Sequence, residues 1–242
     1  MKLNHTLIAL ITLALCTPAL AYRDADLESV EAGKDCPNCN LKGADMERLD
    51  LSGLNLRGAN MRKALLKNAV LDGADLRGAN LDSADLSNVT LDGANLVDAS
   101  MRKSTLFDAS LKKANLSRAV LRDAMADNSD FSNANLQQVD MRRARLRRAI
   151  MTGANLSGAN AGSTDLREVK FNNANLLNAR LNDAKLKEAN FIGSNIGGAQ
   201  FKRARNLNLF GAIDKRSQTA ISAKVAPVQP QAPQPLAPPP TQ

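Results

Sequence analysis

Leu71-Asp72-Gly73-Ala74-Asp75-Leu76-Arg77-Gly78-Ala79-Asn80-Leu81 carries the pattern that decides the fold. Leucine returns at every fifth residue. Two places before it stands alanine, and between the two stands Asp or Asn. Working outward, the beat runs without insertion from Leu41 to Phe201. It gives 33 apolar positions, of which only Ala126 and Ala161 are small. A period of five fits neither the 3.6-residue helix nor the two-residue strand.

The unit Ala-(Asp/Asn)-Leu-x-x resembles the signature of pentapeptide-repeat proteins, over about residues 36–205. The resemblance implies an all-β fold: a right-handed quadrilateral β-helix, one pentapeptide to a side and four to a coil. The residues argue for it separately. On extended chain the central Leu and the residue two before it point the same way. Both are apolar, so both point inward; the intervening Asp or Asn points outward, and the next two residues turn a corner. The second corner residue is Gly at 43, 53, 58, 73, 78, 93, 153, 158, 193 and 198, and Asn at 38, 68, 88, 128, 133, 173 and 178. A type II turn needs positive φ there, which these residues tolerate best. Lys63 and Arg143 predict a different turn type.

Four sides also predict a period of twenty. Asn55, Asp75, Asn95, Asn115, Asn135, Asn155, Asn175 and Asn195 form one column, Met61, Met101 and Met141 a second, and Phe131, Met151, Phe171 and Phe191 a third. The array makes about eight coils, a rod of roughly 40 Å at ~4.8 Å per coil. The Asn column reads as a hydrogen-bonded ladder and the Phe column as core. Hydrophobic residues make up 44% of the chain and aromatics only 3%, without tryptophan, consistent with a narrow interior of Leu and Ala.

The ends read differently. Lys2, the apolar run Leu7 to Leu15 and Ala19-Leu20-Ala21 make a signal peptide over 1–21, with cleavage between Ala21 and Tyr22. The apolar run is short for a membrane span, and Leu15 before Cys16 does not suit lipidation. The expected location is periplasmic or secreted. Cleavage removes Lys2, His5 and Cys16, taking the net charge from +8 to +7 and leaving no histidine. Residues 22–35 read as a helical cap, a helix over Asp24 to Ala32 stopped by Gly33. Cys36-Pro37-Asn38-Cys39 then opens the array. Such a pair can be catalytic, zinc-binding or structural; an oxidising compartment favours a disulfide across the Pro37-Asn38 turn. Many secreted pentapeptide-repeat proteins look similar here. After Phe201 the frame fails. Residues 206–225 are expected to cap the last coil through Leu207, Leu209, Phe210 and Ile213, as a short helix or turn. Residues 226–242 read as a disordered Pro/Gln-rich tail.

Function is less legible. The mature chain has no histidine, phosphate loop, nucleophile elbow or metal-ligand cluster, so no enzyme and no cofactor are expected. One column is basic: Lys42, Arg62, Arg102, Arg122, Arg142 and Lys202. Lys63, Lys103, Arg143 and Arg203 flank it, Asp82, Asp123 and Asp183 interrupt it, and Arg145, Arg147 and Arg148 continue the charge onto the next side. The column is a candidate site for an anionic polymer of the envelope, such as lipopolysaccharide phosphate or acidic glycan. A solvated face that keeps the rod from aggregating explains the same charges. A protein partner or a homodimer is also compatible. Some pentapeptide-repeat proteins resemble duplex DNA and inhibit topoisomerases, but that mimicry needs an acidic surface. Positive charge suits nucleic acid itself, whereas the export signal argues against that partner.

Overall fold

A computed structural model of the chain describes residues 22–215 and 219–220. The expected signal peptide, the Pro-rich tail and the end of the C-terminal cap lie outside these residues. From Asn40↔Asn60 to Lys185↔Arg205, every fifth residue pairs in parallel with the residue twenty further on. The chain is therefore a four-sided solenoid with a twenty-residue coil. Each side is a single bridge, not a strand, because two of every five residues are spent on the corner. The strands among the described residues are β1 (Ile213–Asp214) and β2 (Thr219–Ala220), which pair antiparallel beyond the array.

One pentapeptide shows how the five backbone N–H groups are placed. Leu76 N donates to Asn95 O in the next coil (2.8 Å) and Gly78 N to Val97 O (2.9 Å). Ala79 N turns back to Leu76 O (3.0 Å), closing the corner. Asn80 N reaches Ala59 O in the previous coil (2.9 Å). The fifth, Arg77 N, has no ladder or turn partner and is taken by Asp75 Oδ1 (3.2 Å). The outward Asp or Asn of the repeat is thus the acceptor for the first corner N–H two residues on, an Asx-type bond.

All eight residues of the Asn55–Asn195 column make this bond, from Asn55 to Arg57 N through Asn195 to Gly197 N. The expected amide ladder is superimposed on part of it. Asn175 Nδ2 donates to Asn155 Oδ1 (3.1 Å) and Asn195 Nδ2 to Asn175 Oδ1 (2.9 Å). At several corners whose outward residue is Ser, Thr or Arg, an acceptor one coil earlier at the same corner takes over. Asp82 serves Arg102 N, Asp92 serves Lys112 N and Asp127 serves Arg147 N.

The second corner residue has φ between 54° and 71° throughout the array. The different turn expected at Lys63 and Arg143 is not found: their φ values are 60° and 58°. Their N–H groups bond Asp82 O and Gly162 O in the next coil (3.0 and 3.1 Å), so the ladder imposes the corner whatever residue stands there.

Leu, Met, Phe and Ala of the inward positions fill the interior. Phe171 and Phe191 stack with centroids 4.9 Å apart, and Phe191 meets Phe201 edge-on at 6.1 Å. Where Ser or Thr replaces the inward Ala, the buried hydroxyl donates to a backbone carbonyl. Ser129 bonds Leu106 O (2.6 Å) and Thr164 bonds Met141 O (2.9 Å).

Helix α1 (Asp24–Glu31) lies across the front, ended by Ala32 and by Gly33 at φ 67°. Its Val30 is buried with the core, Arg23 N bonds Asn40 O (3.0 Å), and Asp26 Oδ2 accepts from Asn40 N (2.7 Å). At the back, Gly193 N bonds Gly211 O, one residue short of the regular spacing, and Asn195 pairs with Ile213, two short, so the last coil has lost two residues by this side. Leu209 and Ala212 close it from inside, whereas Phe210, expected in the cap, is 57% exposed.

Candidate anion-binding edge

Backbone bonds place the basic column at one corner in register. Gly43 N bonds Arg62 O, Ser83 N bonds Arg102 O, Lys103 N bonds Arg122 O, Asp123 N bonds Arg142 O, and Asp183 N bonds Lys202 O. Lys42, Arg62, Arg102, Arg122, Arg142 and Lys202 therefore stand one above another along a single edge. Arg143 occupies the adjoining position of the same corner.

The edge is not a row of free cations. Arg142 makes a two-pronged contact with Asp140 (2.9 and 2.9 Å), which also receives Arg122 Nε (2.5 Å). Arg143 is bidentate to Asp123 one coil earlier (2.8 and 2.8 Å), and Arg203 to Asp183 (2.6 and 3.0 Å). Hydrogen bonds from these arginines hold the Asp123 and Asp183 carboxyls below the ordinary range. Arg102 donates to Ser100 Oγ, and its nearest carboxylate contact, with Asp82, is 3.9 Å. Lys42, Arg62, Lys63, Lys103 and Lys202 make no ion pair among the described residues. Sequence reasoning found the column but missed these pairings, which join residues 2, 18 or 20 apart and emerge only in rows of twenty.

The neighbouring side gathers a second charged cluster around Asp127, which is 6% exposed. Arg147 donates to it through Nε (3.0 Å) and Nη2 (2.5 Å). Arg145 Nε lies 2.8 Å from Asp127 Oδ2 without hydrogen-bond alignment, a charge contact only, and its guanidinium sits 5.2 Å from the Phe107 ring centre. Arg148 pairs with Glu168 (2.9 Å) and Arg167 with Asp165 (2.7 Å). A polar hollow of about 270 Å³ opens among Asp127, Asn128, Arg147, Arg148, Arg167 and Glu168. Its arginines are already engaged with carboxylates.

Cys36 and Cys39 face each other over the first corner with Cα atoms 5.5 Å apart, within disulfide range. Asp26 offers a carboxylate beside them, but that group already holds Arg23 (2.8 Å) and Asn40 N. Among the described residues no helix is long and apolar enough to cross a membrane.

The family model for pentapeptide repeats matches in eight copies, which cover residues 35–123 and 129–203 between them. The chain is a pentapeptide-repeat protein. Comparison with curated proteins finds no match. Among solved structures, this pentapeptide-repeat protein is similar to HetL, a protein involved in heterocyst differentiation regulation in the cyanobacterium Nostoc. That match has 25% identity over 81% of this chain and 97% of HetL, with a TM-score of 0.38. It is also similar to QnrB1, a plasmid-mediated fluoroquinolone resistance protein (20% identity, 69% of this chain and 83% of that one, TM-score 0.43). A third is from the thylakoid lumen of Arabidopsis thaliana (36% identity, 40% and 64%, TM-score 0.23).

Proposed function

We propose that this pentapeptide-repeat protein is an exported, non-enzymatic scaffold of the cell envelope. In this reading it is a right-handed rod of about eight coils that contacts anionic polymer along its basic edge. The charge balance of that edge carries the reading. Between residues 40 and 203, the corner and its preceding side hold eleven basic residues and four acidic ones. Each carboxylate there is shared with or adjoined by arginine, so the surplus falls on Lys42, Arg62, Lys63, Lys103, Arg180 and Lys202. A phosphate or carboxylate polymer lying along the rod meets these cations, while the paired arginines give a rigid, partly neutralised floor. Export is supported by Lys2, Leu7 to Leu15 and Ala19-Leu20-Ala21. A disulfide between Cys36 and Cys39 fits that compartment.

The test is retention of the purified protein on immobilised polyphosphate and polygalacturonate at low and high salt. One variant changes Lys42, Arg62, Lys63, Lys103 and Lys202 to Ser; another changes Arg122 and Arg142 to Ser. Salt-sensitive retention lost in the first variant and largely kept in the second supports the reading. Equal retention of wild type and the first variant reduces the edge to a solvated face.

A further inference from the structure

One side of the rod carries no charge over four successive coils. Residues 131–139, 151–159, 171–179 and 191–199 contain no Asp, Glu, Lys or Arg, in a chain that is 23% charged. These windows span the side of the Asn column and both of its corners, about 15 Å along the axis at the ~4.8 Å coil spacing. In the three coils before them the same windows hold eight charged residues: Asp72, Asp75, Arg77, Asp92, Asp98, Lys112, Lys113 and Arg118. The side does not include the basic corner: it lies opposite the side of Arg145, and the side of Asp140 separates it from that corner.

Its polar groups are also treated differently. On the charged sides Asp and Arg satisfy one another. Here Ser132, Gln137, Thr152, Asn172 and Asn178 direct no side-chain hydrogen bond to the described chain. The backbone beneath them is fixed: Asn135, Asn155, Asn175 and Asn195 each cap the corner N–H two residues on. The surface is close-fitting as well. A Cβ on Gly153 or Gly193 would collide with the side-chain oxygen of Asn133 or Asn173 in the coil before. At the C-terminal end of one corner stands Ile192, 49% exposed; the Gly193–Gly211 bond lays Gly211 over it, and the next residue back along the chain is Phe210, 57% exposed.

From these features we infer that this side binds an uncharged β-1,4-linked hexopyranose chain lying along the rod. Amides and hydroxyls both donate and accept, as sugar hydroxyls require. A charge on such a face would be desolvated by a neutral ligand with nothing to pair it, and the face has none. An extended β-1,4 chain advances by about one coil spacing per ring, so successive rings meet successive coils. Phe210 and Ile192 offer an apolar platform for a ring face at the end of the track. The inference does not rest on the basic edge.

The experiment measures binding of the full chain to amorphous cellulose and to chitin at about 1 M salt, where the Debye length is about 3 Å and the basic edge is screened. The variant Gln138→Lys with Asn178→Lys puts charge on the face at corners whose conformation accepts it, since Lys113 and Arg118 stand at φ 59° in equivalent places. The expected result is retention on at least one of the two polymers, reduced at least fivefold in this variant and weakened by Phe210→Ala. Lys42, Arg62 and Lys63 changed to Ser leave it unchanged, with melting curves confirming the fold of each. Cellulose against chitin separates a bare hexose from an N-acetylated one. No retention on either polymer, or equal retention of the lysine variant, overturns the inference. So does thermal hysteresis without polymer binding, which would make ice the ligand.

Discussion

Replacing Asn155 with alanine removes one oxygen that does two jobs. Asn155 Oδ1 accepts the corner N–H of Ser157 (3.1 Å) and the amide of Asn175 in the next coil (3.1 Å). A hydrogen bond of this kind contributes about 0.5–1.5 kcal/mol net, and both groups remain partly exposed, so water recovers some of the loss. The expected cost is about 1–2 kcal/mol. For a domain of this size, that lowers the melting temperature by roughly 2–8 °C. Asn155→Asp keeps the acceptor and is expected to melt close to wild type, as Asp75 already fills the same column and bonds Arg77 N. Gln137→Ala, which removes a side chain without a partner, is the control and stays within about 0.5 kcal/mol. Thermal unfolding followed by circular dichroism decides it. If Asn155→Ala melts with wild type, or if Asp proves as damaging as Ala, the outward Asp or Asn of the repeat is not held for its acceptor.

Lys63→Gly relieves a lysine held at φ 60°, a conformation costing roughly 1–2 kcal/mol for a residue with a Cβ. Glycine's unfolded-chain entropy returns part of that, so a rise in stability of up to about 1 kcal/mol is expected, and an unchanged or lower melting temperature counts against an imposed corner. The carboxyls of Asp75, Asp98, Asp123 and Asp183 are held low by hydrogen bonds from Arg77, Arg118, Arg143 and Arg203. Their pKa values are lower folded than unfolded, so the stability they add is present above about pH 4 and lost as pH falls through the folded values. Melting should be flat from neutral to about pH 5 and decline below about pH 4. Asp98→Asn together with Asp183→Asn should flatten that decline, and an unaltered acid profile would sink the assignment. Removing the Cys36–Cys39 link by changing both to Ser should destabilise by roughly 2 kcal/mol on the loop-entropy account. Alkylation of both cysteines in unreduced, denatured protein would show that no link exists.

How far this structure can be read from its sequence depends on whether a feature repeats at five, at twenty, or not at all. The inward Leu and Ala repeat at five, and burial of Leu41 through Phe191 follows directly. The corners are legible at Gly and Asn but not at Lys63 and Arg143, where side-chain preference points to another turn while two neighbouring coils fix the backbone. The Asn column was legible as a stack, but the column serves first to cap its own corner and only partly as a ladder. The exposure of Phe210 is not legible, because the last coil drops two residues, a break of register that no periodic pattern announces.

The same division explains why fold and function separate so cleanly here. The corner and ladder bonds use backbone atoms, the interior uses every inward side chain, and the outward Asp or Asn is partly committed to the corner. What remains free is mostly the two corner residues of each pentapeptide, and these vary from coil to coil. They are basic on one edge, mutually paired around Asp127, and neutral on the side of Asn135 to Asn195. Since corner residues hardly affect the core, charge can be arranged on each edge without disturbing the others. A rod built this way can present an anion-binding edge and an uncharged track together. Substitutions at Lys63 and Gln138 should therefore change the two proposed binding activities independently while leaving the same coil beneath them.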